Sequence, residues 1–346
     1  MGSDQPKTTV LYDVANSPFI DLGSPFTLWE GVKMALLLPT VPLRLCICVT
    51  SIILVAIANS VAIAGCDLSK PLPRWRRRLV EISSQTASGT CLRAVGFWNP
   101  RVLNGHHYTK GQQIGAIGIF NHVSYLDAFV VVWAFCCAGV TFNFSKHLPI
   151  LGYGVRALQN LYVPEHTDRA SQQKGMVTLI KERANNPSMP MLSVAPEGTV
   201  SNGRCLLSFK TGAFVAGTPV VPILLRYKLA PFNPSWSIII PAWHLLRLMC
   251  QFSNAVTVEM LPPYIPSADE KADPVLYAAN IRKLIADALG VPVVDQDRGH
   301  FLALVKAGVA VSWDGTRLLA PPGVLDDSGC MDLQPHLLAN KAKKQQ

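Results

Sequence analysis

The chain has 346 residues, 49% of them hydrophobic and only 15% charged, with a formal net charge of +9. About a quarter charged is usual for a soluble domain, so this balance argues against a chain bathed wholly in water and points to lipid contact. The basic excess favours anionic partners (nucleic acid, anionic headgroups or phosphorylated substrates), and the length allows one large α/β domain or two modest ones.

Residues 1–30 are polar and read as a flexible N-terminal arm. Residues 31–66 form a candidate membrane segment. Within it "LCICVTSIILVAIANSVAIA", residues 45–64, runs twenty residues without a charge. That is enough to cross a hydrocarbon core of roughly 30 Å. The run starts too far into the chain, and lacks a basic lead, for a cleaved signal peptide. A shorter apolar run, 34–39, precedes it across "PTVP". The segment therefore reads as a single transmembrane span or as a hairpin broken at the prolines. Lys70, Arg74, Arg76, Arg77 and Arg78 follow it and assign that flank to the cytosol. Trp75 suits the headgroup layer.

Residues 75–97 read as an interfacial helix. Strands are expected at 101–105, 114–120, 160–163, 191–195, 220–227, 236–240 and 255–261. Helices are expected at 127–138 and 170–184, and at 273–290 with Asp273 as N-cap, Pro274 in its first turn and Gly290 as C-cap. The alternation predicts an α/β domain, a mixed sheet flanked by helices, over 70–292. Residues 293–346 form a C-terminal extension with a basic tail. The nine cysteines are odd in number and show no CxxC pair or zinc-finger spacing. They read as buried thiols in a reducing compartment, with no metal site.

His122 and Asp127 lie five residues apart in "IFNHVSYLDAFVVVWAF". A helix turns about 100° per residue, so the two cannot share a helix face. They can meet if His122 occupies the turn after the strand and Asp127 the first turn of the next helix. Two readings stay open. "SYLD" matches a capping box, in which Asp127 serves the helix end begun by Ser124. Alternatively Asp127 fixes the imidazole tautomer and His122 removes a proton from an attacking hydroxyl. A second constellation, "APEGTVSNGRCLLSFKTGAF", follows the strand at 191–195. Ligands of open α/β sheets bind beyond the carboxyl ends of strands, so His122 and Glu197 could line one crevice. Gly198 permits close backbone approach, and Arg204 and Lys210 offer cations for phosphate.

Together "NHVSYLD" (121–127), "APEGT" (195–199) and "VVPILLRY" (220–227) resemble the signature blocks of the glycerolipid acyltransferases, in order, over roughly residues 30–300. "EGTVSNGRCLLSFKTGAF" and "LYAANIRKLIADALGV" are most similar to the lysophospholipid acyltransferases acting on lysophosphatidylcholine or lysophosphatidylethanolamine. The resemblance implies that family's fold, acyl-CoA as co-substrate with no cofactor, and a lysophospholipid acceptor. It implies His122 as general base and Asp127 as its orienting partner. Asn121, Ser124, Glu197, Gly198, Thr199, Arg204 and Lys210 are then the expected substrate-binding residues. Glu165 stands where the family's middle block has an arginine, leaving Arg169 or Arg156 as substitutes. No EF-hand loop follows residue 290, so calcium regulation is not expected. Lys343 and Lys344 occupy dilysine positions, an endoplasmic-reticulum address with the catalytic domain facing the cytosol. Nucleic acid is not an expected partner, since no nucleic-acid motif occurs. The other readings are a lysophosphatidic acid or glycerol 3-phosphate acyltransferase, and an inactive lipid-binding homologue.

Overall fold

The computed structural model describes residues 11–163, 169–236 and 238–333, with the side chains of 169–174 outside the described set. Glu165, Lys343 and Lys344, and the side chain of Arg169, lie outside the described residues.

Helix α1 (Leu28–Leu37) is capped by Thr27, whose hydroxyl accepts from Glu30 N. A tight turn, Leu38–Thr40, leads into α2 (Val41–Ile63). The prolines do not break the chain, because each sits in a first turn, where no N–H is needed. The result is one apolar helix of 36 residues, Leu28–Ile63, about 54 Å long at 1.5 Å per residue. This is the continuous form of the expected membrane segment, not the hairpin. Only 17% of its most apolar window is buried.

The inner side of this helix lies on the domain. Glu30 and Lys33 are buried and paired at 2.6 Å. Arg44 Nη1 donates to Met249 O at 2.9 Å. Helix α3 (Arg74–Ala94) runs antiparallel to α2. Asn59, a polar residue in an apolar run, is fully buried there: it donates to Ser84 Oγ and accepts from Ser83 Oγ.

Among the described residues the main sheet has seven strands: β1 (Arg101–Leu103), β2 (Ile117–Phe120), β3 (Ala138–Phe142), β4 (Leu161–Val163), β5 (Leu192–Val194), β6 (Val220–Tyr227) and β7 (Val256–Met260). Their order is β1-β7-β6-β2-β5-β3-β4. All pairings are parallel except β6 with β7, so the sheet is mixed. Parallel strands are covered on both faces and read as continuous apolar runs. In β6, Val221, Ile223 and Leu225 enter one core with Val130 and Val131, while Val220 and Leu224 enter the other with Tyr277 and Ile281. The helix Pro274–Leu289 has the expected ends: Asp273 accepts from Val275 N and Leu276 N, and Gly290 is left-handed at φ 73°.

Several expectations are corrected. The described residues of 236–240 form no strand; Ile238 O instead accepts Val311 N from the extension. Residues 11–27 are no free arm: Val14, Phe19 and Ile20 are buried with Leu304 and Met331 in a third apolar cluster, and Tyr12–Asp13 pairs with Cys330–Met331. Strand 114–120 is shortened to β2 by helix α4 (His106–Gln113), and helix 127–138 ends at Phe135 as α5 (Asp127–Phe135), freeing 138–142 to form β3. Helix α6 (Leu151–Ala157) was not expected.

Candidate active site

The site begins where β2 ends. Asn121 extends the pairing with β6 through its side chain: Oδ1 accepts Leu225 N at 2.8 Å and Nδ2 donates to Leu225 O at 3.1 Å. This fixes the direction in which His122 leaves the sheet. The next turn folds around the carboxylate of Asp127, which opens α5. Oδ2 accepts Val123 N at 2.8 Å, Ser124 N at 3.0 Å and His122 Nδ1 at 2.7 Å. Oδ1 accepts the Tyr227 hydroxyl at 2.6 Å. Helix cap and histidine partner are thus one carboxylate, and the two readings are not exclusive. A buried carboxylate only accepts, so Nδ1 of a neutral His122 carries the proton and Nε2 keeps its lone pair.

Burial of His122 lowers its pKa, but the hydrogen bond and charge of Asp127, with the charge of Glu197, outweigh that and hold it above the usual imidazole value. Its side chain remains 29% exposed, against 1% for Asp127.

Glu197 is also buried. Oε1 accepts His122 N at 2.6 Å and Oε2 accepts Leu207 N at 2.9 Å. Burial pushes its carboxyl up to about 7, against the pull of those two N–H groups. It therefore backs the His122 backbone and does not face the crevice. Gly198 sits at φ 68°, and a Cβ there would collide with Lys210 Nζ, so glycine lets the lysine cross the loop.

A crevice of ≈ 550 Å³ opens at these strand ends. His122, Asp127, Gly198 and Lys210 line it, with Phe120 and Val131 among its apolar walls. Asn121, Ser124, Glu197, Thr199 and Arg204 do not. Ser124 Oγ, the expected cap, instead donates to Pro234 O at 2.8 Å and accepts Leu126 N at 3.2 Å. Arg204 pairs with Asp21 at 3.5 Å. Arg156 lines a different cavity. A smaller cavity of ≈ 150 Å³, between α2, α3, α5 and α6, shares Ala128, Val132, Val155 and Leu158 with the crevice.

Two residues were missed by sequence reasoning. Tyr227 ends "VVPILLRY"; β6 runs four residues past Ile223, the partner of Phe120, and so carries Tyr227 over the end of β2. The register holds that signal, and the composition does not. Arg298 opens a helix of the C-terminal extension and lines the crevice, and no motif marks it. Among the described residues no cluster of His, Cys, Asp or Glu could hold a metal ion.

The family model for acyltransferases matches residues 102–226. The structure is similar to that of the 1-acyl-sn-glycerophosphate acyltransferase PlsC from Thermotoga maritima, with a TM-score of 0.52 over 75% of this chain and 96% of that one. At 15% identity that likeness shows the fold. The lysophospholipid acyltransferase LPEAT1 of Arabidopsis thaliana is 33% identical over 76% of this chain and 77% of its own length. Lysophosphatidylcholine acyltransferase 1 is 32% identical over 78% of this chain in Danio rerio and 77% in Homo sapiens. The chain spans about half the length of those two relatives, 52% and 50%. It belongs to the glycerolipid acyltransferase family, in the lysophospholipid acyltransferase subgroup.

Proposed function

We propose that this chain is a membrane-bound lysophospholipid acyltransferase that uses acyl-CoA as donor. One observation carries the chemistry: Asp127 holds His122 Nδ1 at 2.7 Å inside a crevice with apolar walls. His122 Nε2 takes the proton of the acceptor's free hydroxyl. The hydroxyl oxygen attacks the thioester carbonyl, the C–S bond breaks, and CoA leaves as a thiol. Lys210 and Arg298 supply positive charge in the crevice for phosphate. The relatives' names support the lysophospholipid acceptor.

Membrane seating rests on the long helix. Its inner side is held to α3 from Cys48, beside Cys91, to Ala62, whose carbonyl accepts from Arg76. Its outer side exposes Leu43, Val49, Leu54, Ile57 and Val61. Trp75 is exposed at the basic start of α3. Lipid would meet this outer side along its length, bringing the crevice to the interface where single-chain lipids partition. The endoplasmic reticulum, with the crevice toward the cytosol, is the proposed location.

The test is release of CoA thiol by purified protein given one lysophospholipid and one acyl-CoA. General base action is worth ~10² to 10⁴-fold, so His122→Ala should lose at least the lower figure while its circular dichroism stays unchanged. A wild-type rate in that variant overturns the reading.

A further inference from the structure

A second cavity, of ≈ 450 Å³, lies at the start of β4 and ahead of β5, beside Leu161 and Met189. His122 lies past the opposite, carboxyl ends of these parallel strands. Asn160 borders both spaces, and its Oδ1 is occupied by Gly139 N at 2.7 Å.

Lys146, Arg156 and Arg183 line this cavity, and Glu182 stands among them. Two of its polar atoms are buried without a partner: Arg156 Nε, a donor, and Gln159 Oε1, an acceptor. Gln159 is only 3% exposed, and its Nε2 is spent on Leu68 O at 2.9 Å and Lys70 O at 2.7 Å. A buried polar group left unpaired costs roughly 1–3 kcal/mol, so such atoms are rarely left so without a reason. Both residues line the same space. An occupant that fits this lining brings an anion for Lys146, Arg156 and Arg183 and an N–H or O–H donor for Glu182. Leu68 and Ser69, which form one wall, lie a few residues past the end of the apolar helix at Ile63. The cavity therefore stands next to the part of the chain that faces lipid.

We propose that this cavity is a second site, apart from the His122 crevice, for the phosphodiester headgroup of a phospholipid bearing an N–H or O–H donor. It rests on the acyltransferase reading only for the lipid origin of the headgroup.

The test uses the full chain in detergent micelles and soluble headgroup probes. Millimolar glycerophosphoethanolamine should raise the melting temperature by several degrees, through binding to the folded state. Glycerophosphocholine has no N–H on its quaternary nitrogen and should raise it less. Arg156→Gln should abolish the shift, and Glu182→Gln should remove the preference between the probes. Should Arg156→Gln fail to fold, Lys146→Gln is read the same way. Equal shifts with both probes in the wild type, no shift at all, or a shift that survives Arg156→Gln overturns the proposal. Two kinetic arms separate the headgroup's sources. A raised KM for lysophosphatidylethanolamine in Arg156→Gln, with kcat kept, identifies the acceptor. An unchanged KM, with loss of stimulation by phosphatidylethanolamine vesicles, identifies the bilayer. The melting readout needs no activity, so its failure is distinct from failure of the acylation assay.

Discussion

Glu197 offers a measurement that separates a buried brace from a ligand-binding acid. Its carboxylate joins His122 N to Leu207 N and is 1% exposed. Folding moves its titration from the ordinary 4.5 up to about 7. The folded state therefore holds a proton that the unfolded chain has already lost, and stability falls as pH rises between those values. At 1.36 kcal/mol per pKa unit the whole span is about 3 kcal/mol, of which about 2.5 kcal/mol falls between pH 5 and pH 8. Glutamine copies the protonated carboxyl in shape and cannot titrate. Urea unfolding in detergent of wild type and Glu197→Gln, followed by tryptophan fluorescence at pH 5, 6, 7 and 8, gives the difference directly. The variant should gain about 2.5 kcal/mol on the wild type across that range. His122 titrates in both proteins and cancels except for the part of its shift that comes from the charge of Glu197, the smallest of its causes. A difference that stays flat to about 0.5 kcal/mol would mean an open carboxylate with an ordinary pKa, and would refute the brace.

The remaining predictions concern the crevice. With His122 as base and its pKa held above the usual value, the acidic limb of kcat/KM should lie above about 6.5 in the wild type. Asp127→Asn removes the anion that raises it and leaves the burial that lowers it, so the limb should move to lower pH while kcat falls. A pH–rate profile checks both. Tyr227→Phe removes a hydrogen bond to a charged group, worth roughly 1.5–3 kcal/mol. Asp127 then bears more heavily on His122, so here the limb should move to higher pH; a limb that moves as in Asp127→Asn refutes the assignment. Arg298→Gln should raise KM for acyl-CoA by roughly threefold to tenfold with kcat kept, as loss of one exposed phosphate contact predicts. Acyl-pantetheine, which lacks the nucleotide phosphates, should show a smaller change.

What the sequence carried and what it did not follow from the range of each signal. The apolar run of β6, the caps of the helix Pro274–Leu289 and the His122–Asp127 turn are local, fixed by residues within a few positions. Strand β3 was hidden because Cys136 takes a left-handed conformation that ends α5 inside one unbroken apolar run. Periodicity alone does not show that break. Glu197 was legible as important but not as buried, since "EGT" in isolation reads as a polar loop. Arg204 was misplaced because its partner, Asp21, lies 183 residues away. Arg298 was invisible for the same reason: only the packing of the extension brings it to the crevice.

That packing also reaches the imidazole. Leu207 is buried in the cluster formed by residues 14–20 and the extension, alongside Ala303, Leu304 and Met331. Its backbone N–H donates to Glu197 Oε2, and Glu197 Oε1 accepts the backbone N–H of His122. Ser201 N donates to His122 O at 3.0 Å, closing the same loop from the other side. The segments that flank the signature blocks, read from sequence as a loose arm and a tail, thus hold one end of a chain of buried bonds whose other end is the candidate base. Together with the Asn121 bonds to Leu225, these two bonds to the His122 backbone fix where it leaves the sheet, and Asp127 fixes how its ring is turned. Position and orientation are set by different parts of the chain. Asp127→Asn, whose amide oxygen can still accept Val123 N and Ser124 N, should therefore alter the ring's titration with little movement of its backbone, and loosening the extension should shift the backbone without changing the ring's partner.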